Sequence, residues 1–347
     1  MVRYVNGSIH GRRIWAVGAQ RHRRTTLREP MSSAANRRPL GQSSLAITPL
    51  VLGGNVFGWT ADEATSFAVL DAFVAHGGNA IDTADGYSSW VPGHVGGESE
   101  TVIGKWLKRR RRRDDVVICT KVGWWEKRPG LKRQNIIDAC EDSLRRLGVE
   151  TIDLYWLHRD DEKTPADEYL GALDALVTGG KVRAVGASNF GVERFGEALT
   201  ASKRTKRVAF AAQQPEYNLM NRAIETALVP LCVREHVGIL PYYGLASGFL
   251  TGKYRSAADA GKSVRGGGAV KHLASAKGPA VLAALDAVAA RHAATCAQVA
   301  LAWLMAKPGV AAPIASATSA AQVTELMGAL RLTLDAADMA ELDRASA

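Results

Sequence analysis

Residues 116–158 read VVICTK-VGWWEKRPGLKR-QNIIDACEDSLRRL-GVET-IDLYWLH. Val116–Lys121 and Ile152–His158 are short, apolar, β-branched runs of strand length, and 134–147 between them is an amphipathic segment of helix length with Gly148 where a C-cap belongs. A strand, a helix-length crossover and a second strand predict two parallel neighbours, because parallel strands cannot be joined by a tight turn.

The same unit repeats in both directions from this stretch. Strand candidates are Pro49–Gly53, Asn79–Asp82, Val116–Lys121, Ile152–His158, Lys181–Gly186, Val208–Gln213, Val237–Tyr242 and Val310–Ile314. Helix candidates follow at 62–76, 98–111, 134–147, 165–178, 191–203, 222–235, 295–306 and 319–329. Eight such pairs predict an α/β fold, a (β/α)8 TIM barrel in one domain over residues 37–347. A doubly wound open sheet is the competing arrangement, but no Gly-x-Gly-x-x-Gly follows any of these strands. Asp62 and Thr164 stand at N-cap positions, Gly77-Gly78 closes the first helix, and Pro230 predicts a short or kinked sixth helix. Residues 37–48 predict a short N-terminal hairpin around Gln42–Ser44. Stretches 86–97 and 245–278 read as long loops at the carboxyl end of the strands, where long loops tend to carry function.

A barrel builds its active site at those carboxyl ends. The second strand ends in Asp82, with Tyr87 five residues on; the third ends in Lys121 and the fourth in His158. Ser188-Asn189 follows the fifth, Gln214 the sixth, and Tyr242 ends the seventh. Each alone has a structural explanation, and the case rests on their convergence. A phenol is a reluctant acid at neutral pH, and an adjacent ammonium is expected to lower its pKa. A buried lysine needs a counter-ion, which Asp82 can supply, and His158 can orient a carbonyl oxygen. The set suits reduction of C=O, where hydride reaches carbon as a proton reaches oxygen.

The motifs containing these residues are NAIDTADGY (79–87), GESE (97–100), CTK (119–121), DLYWLH (153–158), GASNF (186–190), QPEYNL (214–219) and GFLTGK (248–253). In this order they resemble the aldo-keto reductases from about Pro39 to the C-terminus. The resemblance implies Asp82, Tyr87, Lys121 and His158 as a catalytic tetrad, and an NADPH bound across the barrel mouth without a dinucleotide fingerprint. It further implies that Ser188, Asn189 and Gln214 hold the nicotinamide carboxamide and that Tyr242 stacks on the ring, with Leu245, Ser247 and Lys253 contacting the cofactor from the loop. Ser316, Ser319 and Gln322 match the adenosine end. Many NADPH-preferring members place a lysine or arginine there, and this chain has none, so NADH is a second possible cofactor. Trp59, Trp90, Trp124 and Trp125 are candidate walls for a medium-sized, partly apolar carbonyl substrate. The same fold serves the aldo-keto-like β-subunits of potassium channels, so a cofactor-sensing regulatory subunit is the alternative expectation.

Composition narrows the other possibilities. The 347 residues are 47% hydrophobic and 22% charged, ordinary for a globular protein, and no apolar run reaches the ~20 residues of a membrane span. The net charge is +10, but residues 1–30 carry +6 of it, so the charge is mainly a property of the N-terminal segment and argues for no nucleic-acid partner. The run Arg109–Arg113, followed by Asp114 and Asp115, predicts a solvated helix end. Residues 1–36 lack periodicity and read as a basic, disordered extension, faintly like a transit peptide, with Met31 a candidate start. Four cysteines without a C-x-x-C pair suit a reducing compartment, here the cytoplasm, and argue against a metal site.

Overall fold

The computed structural model describes residues 37–347, and the expectations for 1–36 lie outside the described residues. Two short strands, Arg38–Pro39 and Ala46–Ile47, pair antiparallel with Arg38 opposite Ile47. Eight parallel strands follow: β1 Val51–Gly53, β2 Ala80–Asp82, β3 Val117–Val122, β4 Ile152–Leu157, β5 Val182–Ser188, β6 Phe210–Gln214, β7 Gly238–Ile239 and β8 Ile314–Ala315. They form one curled sheet in sequential order, with β8 beside β1. At the other edge the Ile239 N–H donates to Gly309 O (2.8 Å), Ala311 N–H to Ile239 O (2.9 Å) and Ile314 N–H to Pro241 O (2.8 Å).

The helices of seven or more residues are α1 Glu63–Ala75, α2 Glu98–Arg110, α3 Arg133–Leu147, α4 Ala166–Thr178, α5 Val192–Thr205, α6 Leu228–Arg234, α7 Gly278–Arg291, α8 Cys296–Met305, α9 Ala320–Gly328 and α10 Ala336–Ala345. The predicted helices are present, and two more were not anticipated. α7 is Ala-rich and buries Val281, Leu282, Leu285 and Val288, while α10 opens with a capping box between Asp335 and Asp338. Both lie outside the one-helix-per-strand alternation, which is why pattern alone passed over them. The stretch 245–278 is also more ordered than a plain loop, with 3-10 turns at Ala246–Thr251, Ala257–Lys262 and Val270–Ala274.

Local signals hold with one correction. The Asp62 side chain accepts from the Thr65 N–H, and Gly148 takes the left-handed C-cap conformation at φ 65°. Pro230 falls in the first turn of a seven-residue α6, where its missing N–H has no helical partner in any case. Thr164 is not the cap of α4: Pro165 occupies that place, and the Thr164 hydroxyl donates to Asp161 at 2.6 Å. Within the Arg109–Arg113 run, Arg110 is bidentate to Asp115 at 2.7 and 2.9 Å and Arg113 pairs with the buried Asp153.

The interior of the sheet is filled by Val51, Ala80, Val117, Leu154, Trp156, Ala184, Ala212 and Leu240, with Leu40, Leu45 and Ile47 of the N-terminal pair closing that end. A second, larger core lies between strands and helices. Period-2 alternation sorts the side chains: along β2 and its continuation, Asp82 faces inward while Thr83 and Asp85 face the helices, Thr83 donating to Ser99 of α2 at 2.7 Å. Polar residues therefore reach the interior only at the open end, where the apolar filling stops.

Candidate active site

Lys121 on β3 is fully buried, and its ammonium has three partners. It donates to Asp82 Oδ2, to the Thr83 carbonyl at 2.8 Å and to the Tyr87 hydroxyl at 2.9 Å. The second Asp82 oxygen accepts from Gln214 Nε2 at 3.2 Å. Three donor bonds saturate an ammonium, so Lys121 is fixed in place. Tyr87 accepts from Lys121, which leaves its own O–H free to point elsewhere.

Burial pushes Asp82 up from the ordinary carboxylate value, against the pull of Lys121 and Gln214. Burial presses Lys121 down, but Asp82 and Tyr87 outweigh it and hold the ammonium above its usual value. For Tyr87 the expected direction is reversed. Burial raises the phenol above its ordinary value, and Lys121 draws it only part of the way back. Desolvation of a phenolate in this apolar setting exceeds the attraction of an ammonium that Asp82 already half-neutralises. Tyr87 is accordingly protonated at neutral pH. His158 is held well below the usual imidazole value, chiefly by burial and then by Lys121, so it is neutral. Its Nδ1 is buried without a hydrogen-bond partner among the described residues, and its ring meets Tyr87 at 5.9 Å and Trp124 at 5.0 Å, both edge-on.

Beside this centre lies a second polar group. Ser188 donates to the Gln214 carbonyl (2.8 Å), Asn189 Nδ2 to the His158 carbonyl (2.9 Å) and to Ser188 (3.0 Å), and the Tyr242 hydroxyl to Asn189 Oδ1 (2.8 Å). Asn189 sits at φ 55°, a left-handed conformation that asparagine tolerates better than most residues and that turns its amide toward the mouth. Leu245 starts a turn in which Ala246 and Ser247 are left-handed at φ 45° and 57°. Lys253 is exposed over the Tyr254 ring, and Arg255 is committed to Asp286 by two bonds of 2.7 Å. Ser316 follows β8 and donates to Asn55 after β1 at 2.6 Å. Ser319 caps α9 by accepting from the Gln322 N–H, and the Gln322 side chain accepts from the Thr318 N–H at 2.7 Å. These last residues do not touch the Lys121 centre.

The tryptophans divide. Trp90 and Trp124 are 50% and 47% exposed, and Trp90 meets both Tyr87 (6.1 Å) and Trp59 (5.5 Å) edge-on. Trp59, Trp90 and Trp124 thus rim the mouth. Trp125 instead packs on the backbone: a Cβ at Gly86 or Gly96 would lie 3.0 and 2.8 Å from it. Among the described residues no group of three His, Cys, Asp or Glu side chains is placed to hold a metal ion.

The sequence model described as "Aldo/keto reductase family" matches residues 49–347. The chain belongs to the aldo/keto reductase family. It is similar to a protein named "Protein tas" of Escherichia coli, 33% identical over 87% of this chain and 94% of that one. It is also similar to "Aldo-keto reductase AMT2" of Alternaria alternata, 30% identical over 90% and 91%. A "Probable voltage-gated potassium channel subunit beta" of Arabidopsis thaliana is 32% identical over 84% and 90%. Membership makes this aldo/keto reductase an oxidoreductase of a family that uses nicotinamide cofactors and small carbonyl compounds. Among its described residues no single helix is long and apolar enough to cross a membrane.

Several contributors to the site carried no sequence signal. The Thr83 carbonyl is a backbone group, and Asn55 meets Ser316 only because β1 and β8 are neighbours. Asp85, fully enclosed two residues before Tyr87, is legible only once its place on the strand period is known.

Proposed function

We propose that this protein reduces an aldehyde or ketone to an alcohol, with hydride from NADPH and the proton from Tyr87. The observation that carries the reading is the hydrogen-bonded line Asp82–Lys121–Tyr87 at the open end of the sheet, with His158 against the Tyr87 ring. Tyr87 holds its proton at neutral pH and delivers it to the carbonyl oxygen. Lys121 stabilises the phenolate that remains, and Asp82 keeps Lys121 charged and oriented. The neutral imidazole of His158 donates a hydrogen bond that orients the carbonyl beside Tyr87.

The donor set at Ser188, Asn189 and Gln214 fits a carboxamide, and Tyr242, tied to Asn189, offers a flat ring to stack on a heterocycle. A nicotinamide held there supplies the hydride. Leu245, Ser247 and Lys253 would contact the same cofactor from the 245–278 loop, and Ser316, Ser319 and Gln322 would meet its adenosine end. NADPH is the proposed partner on family grounds, and NADH is accepted as well because hydroxyls and an amide, not a cation, stand at that end. Trp59, Trp90 and Trp124 would wall a partly apolar substrate; the packing of Trp125 on Gly86 and Gly96 favours a structural part for it.

The edge-to-edge bonds of Ile239, Ala311 and Ile314 support a closed (β/α)8 barrel, proposed as one domain over 37–347. The four cysteines are free and buried, which supports a reducing, cytoplasmic setting. Fluorescence titration with NADPH and NADH, then a panel of aldehydes and ketones, tests the reading. Binding of either cofactor without turnover of any carbonyl would favour the cofactor-sensing alternative.

A further inference from the structure

Asp85 is 1% exposed, and neither carboxylate oxygen has a hydrogen-bond partner among the described residues. Its backbone N–H extends the β2–β3 ladder, donating to the Lys121 carbonyl at 3.3 Å after Thr83 has donated to Cys119 at 2.8 Å. The alternation that sends Asp82 inward sends Asp85 outward beneath α2 and α3. The charged and titratable groups around it are Glu100 on α2, Arg146 on α3, Lys121 on β3 and Tyr155 on β4. None of them hydrogen-bonds its carboxylate among the described residues. Arg146 donates through Nε to Glu100 at 2.6 Å and through a terminal nitrogen to Ser143 at 3.4 Å, Thr120 donates to the other Glu100 oxygen, and Lys121 is saturated. Two carboxyl groups thus share one enclosed space with a single guanidinium, which Glu100 holds. A second carboxylate there is buried, without a hydrogen-bond partner among the described residues and beside a like charge, which favours the neutral form of Asp85 against the pull of Arg146 and Lys121.

We propose that Asp85 is a positioning residue for Tyr87: as the uncharged acid it packs beneath α2 and α3 and holds the loop that presents the hydroxyl to Lys121, and its ionisation releases that loop. Only Gly86 separates Asp85 from Tyr87, and it is pressed against Trp125, where an added Cβ would lie 3.0 Å from the Trp125 Cβ. A shift of Asp85 toward solvent is therefore passed to Tyr87 and not absorbed by slack in the chain. Burial, with the Glu100 charge adding to it, pushes the Asp85 carboxyl up to about 7, so the change falls in the physiological range.

The kinetic test rests on the proposed role of Tyr87; the other two need no substrate. In wild type, kcat for carbonyl reduction falls as pH rises through neutrality. In Asp85→Asn, the isosteric neutral form, that limb vanishes, while kcat at pH ~6 and KM for NADPH stay within about twofold of wild type. Infrared difference spectra of wild type against the variant show a protonated-carboxyl C=O band below pH ~7 that disappears above it. Relative to Asp85→Asn, wild type loses melting temperature as pH rises from about 4 to about 7 and no further above. An unchanged neutral limb in Asp85→Asn, loss of activity in it at pH ~6, no titrating carboxyl band, or superimposable melting profiles would each overturn the proposal. Where no carbonyl substrate is turned over, the infrared and melting arms still decide the state of Asp85.

Discussion

The ammonium of Lys121 stands 2.9 Å from the hydroxyl of Tyr87 and 4.7 Å from the centroid of its ring, while Asp82 holds the same ammonium from the opposite side. The phenol accepts from the lysine and so keeps its own proton free for a ligand. Yet burial wins over the lysine charge in setting the Tyr87 pKa. Lys121 therefore works by limiting how far the phenol is raised, and each residue of the line has its own measurable consequence.

Tyr87→Phe removes the transferable proton and little else. Carbonyl reduction should fall by about 100- to 10,000-fold, the usual range for a positioned acid, with the NADPH dissociation constant within a few-fold of wild type. Steady-state NADPH oxidation and fluorescence titration measure the two, and unchanged turnover would refute the acid role.

Lys121→Met leaves Asp82 buried without its ammonium partner, still accepting from Gln214. Breaking a buried pair in this way should destabilise the fold by about 3–5 kcal/mol, less whatever protonation of Asp82 recovers. The folded-state pKa of Lys121 is raised, so the stabilisation it provides is complete at neutral pH and is lost only as pH climbs beyond the ordinary lysine range. Denaturant melts at pH ~7 and ~11 should thus show the wild-type advantage over Lys121→Met shrinking at the higher pH. Turnover should drop at least ~100-fold.

His158 is neutral across the physiological range, because its pKa is depressed far below the usual imidazole value. His158→Gln should lower kcat by about 10- to 100-fold through loss of carbonyl orientation, without moving the pH–rate limb near neutrality. If that limb vanished in His158→Gln and persisted in Asp85→Asn, the imidazole would be the titrating group.

Gly186 on β5 lies flat against Trp156, and a Cβ there would come within 2.3 Å of the indole and 3.1 Å of the Ala212 carbonyl. Trp156 is fully buried and cannot swing clear. Gly186→Ala should destabilise by about 1–3 kcal/mol or more, read as a lowered melting temperature with KM for NADPH disturbed, since Ser188 and Asn189 follow directly. A neutral effect would mean that β5 can shift at this point.

The alternation of strand and helix patterns and the polar residue at each strand's carboxyl end were legible in the chain itself, because both follow from local periodicity and from where an apolar run stops. The motifs around Asp82, Tyr87, Lys121 and His158 pointed to the family in the same way. Helices α7 and α10 were not legible, since they interrupt the repeat that guided the reading and draw their stability from tertiary packing, α10 on α7 and α7 on α8 and the turn Val270–Ala274. Thr164 showed the limit of cap chemistry: a hydroxyl in the right place served Asp161 instead.

Electrostatics was decided only by tertiary structure. Lysine beside tyrosine suggested a lowered phenol pKa, but how much water surrounds Tyr87 depends on strands and loops far apart in the chain, and enclosure reversed the sign. Asp85 makes the same point from the other direction. Nothing in Asp-Thr-Ala-Asp-Gly-Tyr distinguishes its second aspartate from a solvated one, because desolvation belongs to a volume enclosed by several elements and not to a stretch of chain.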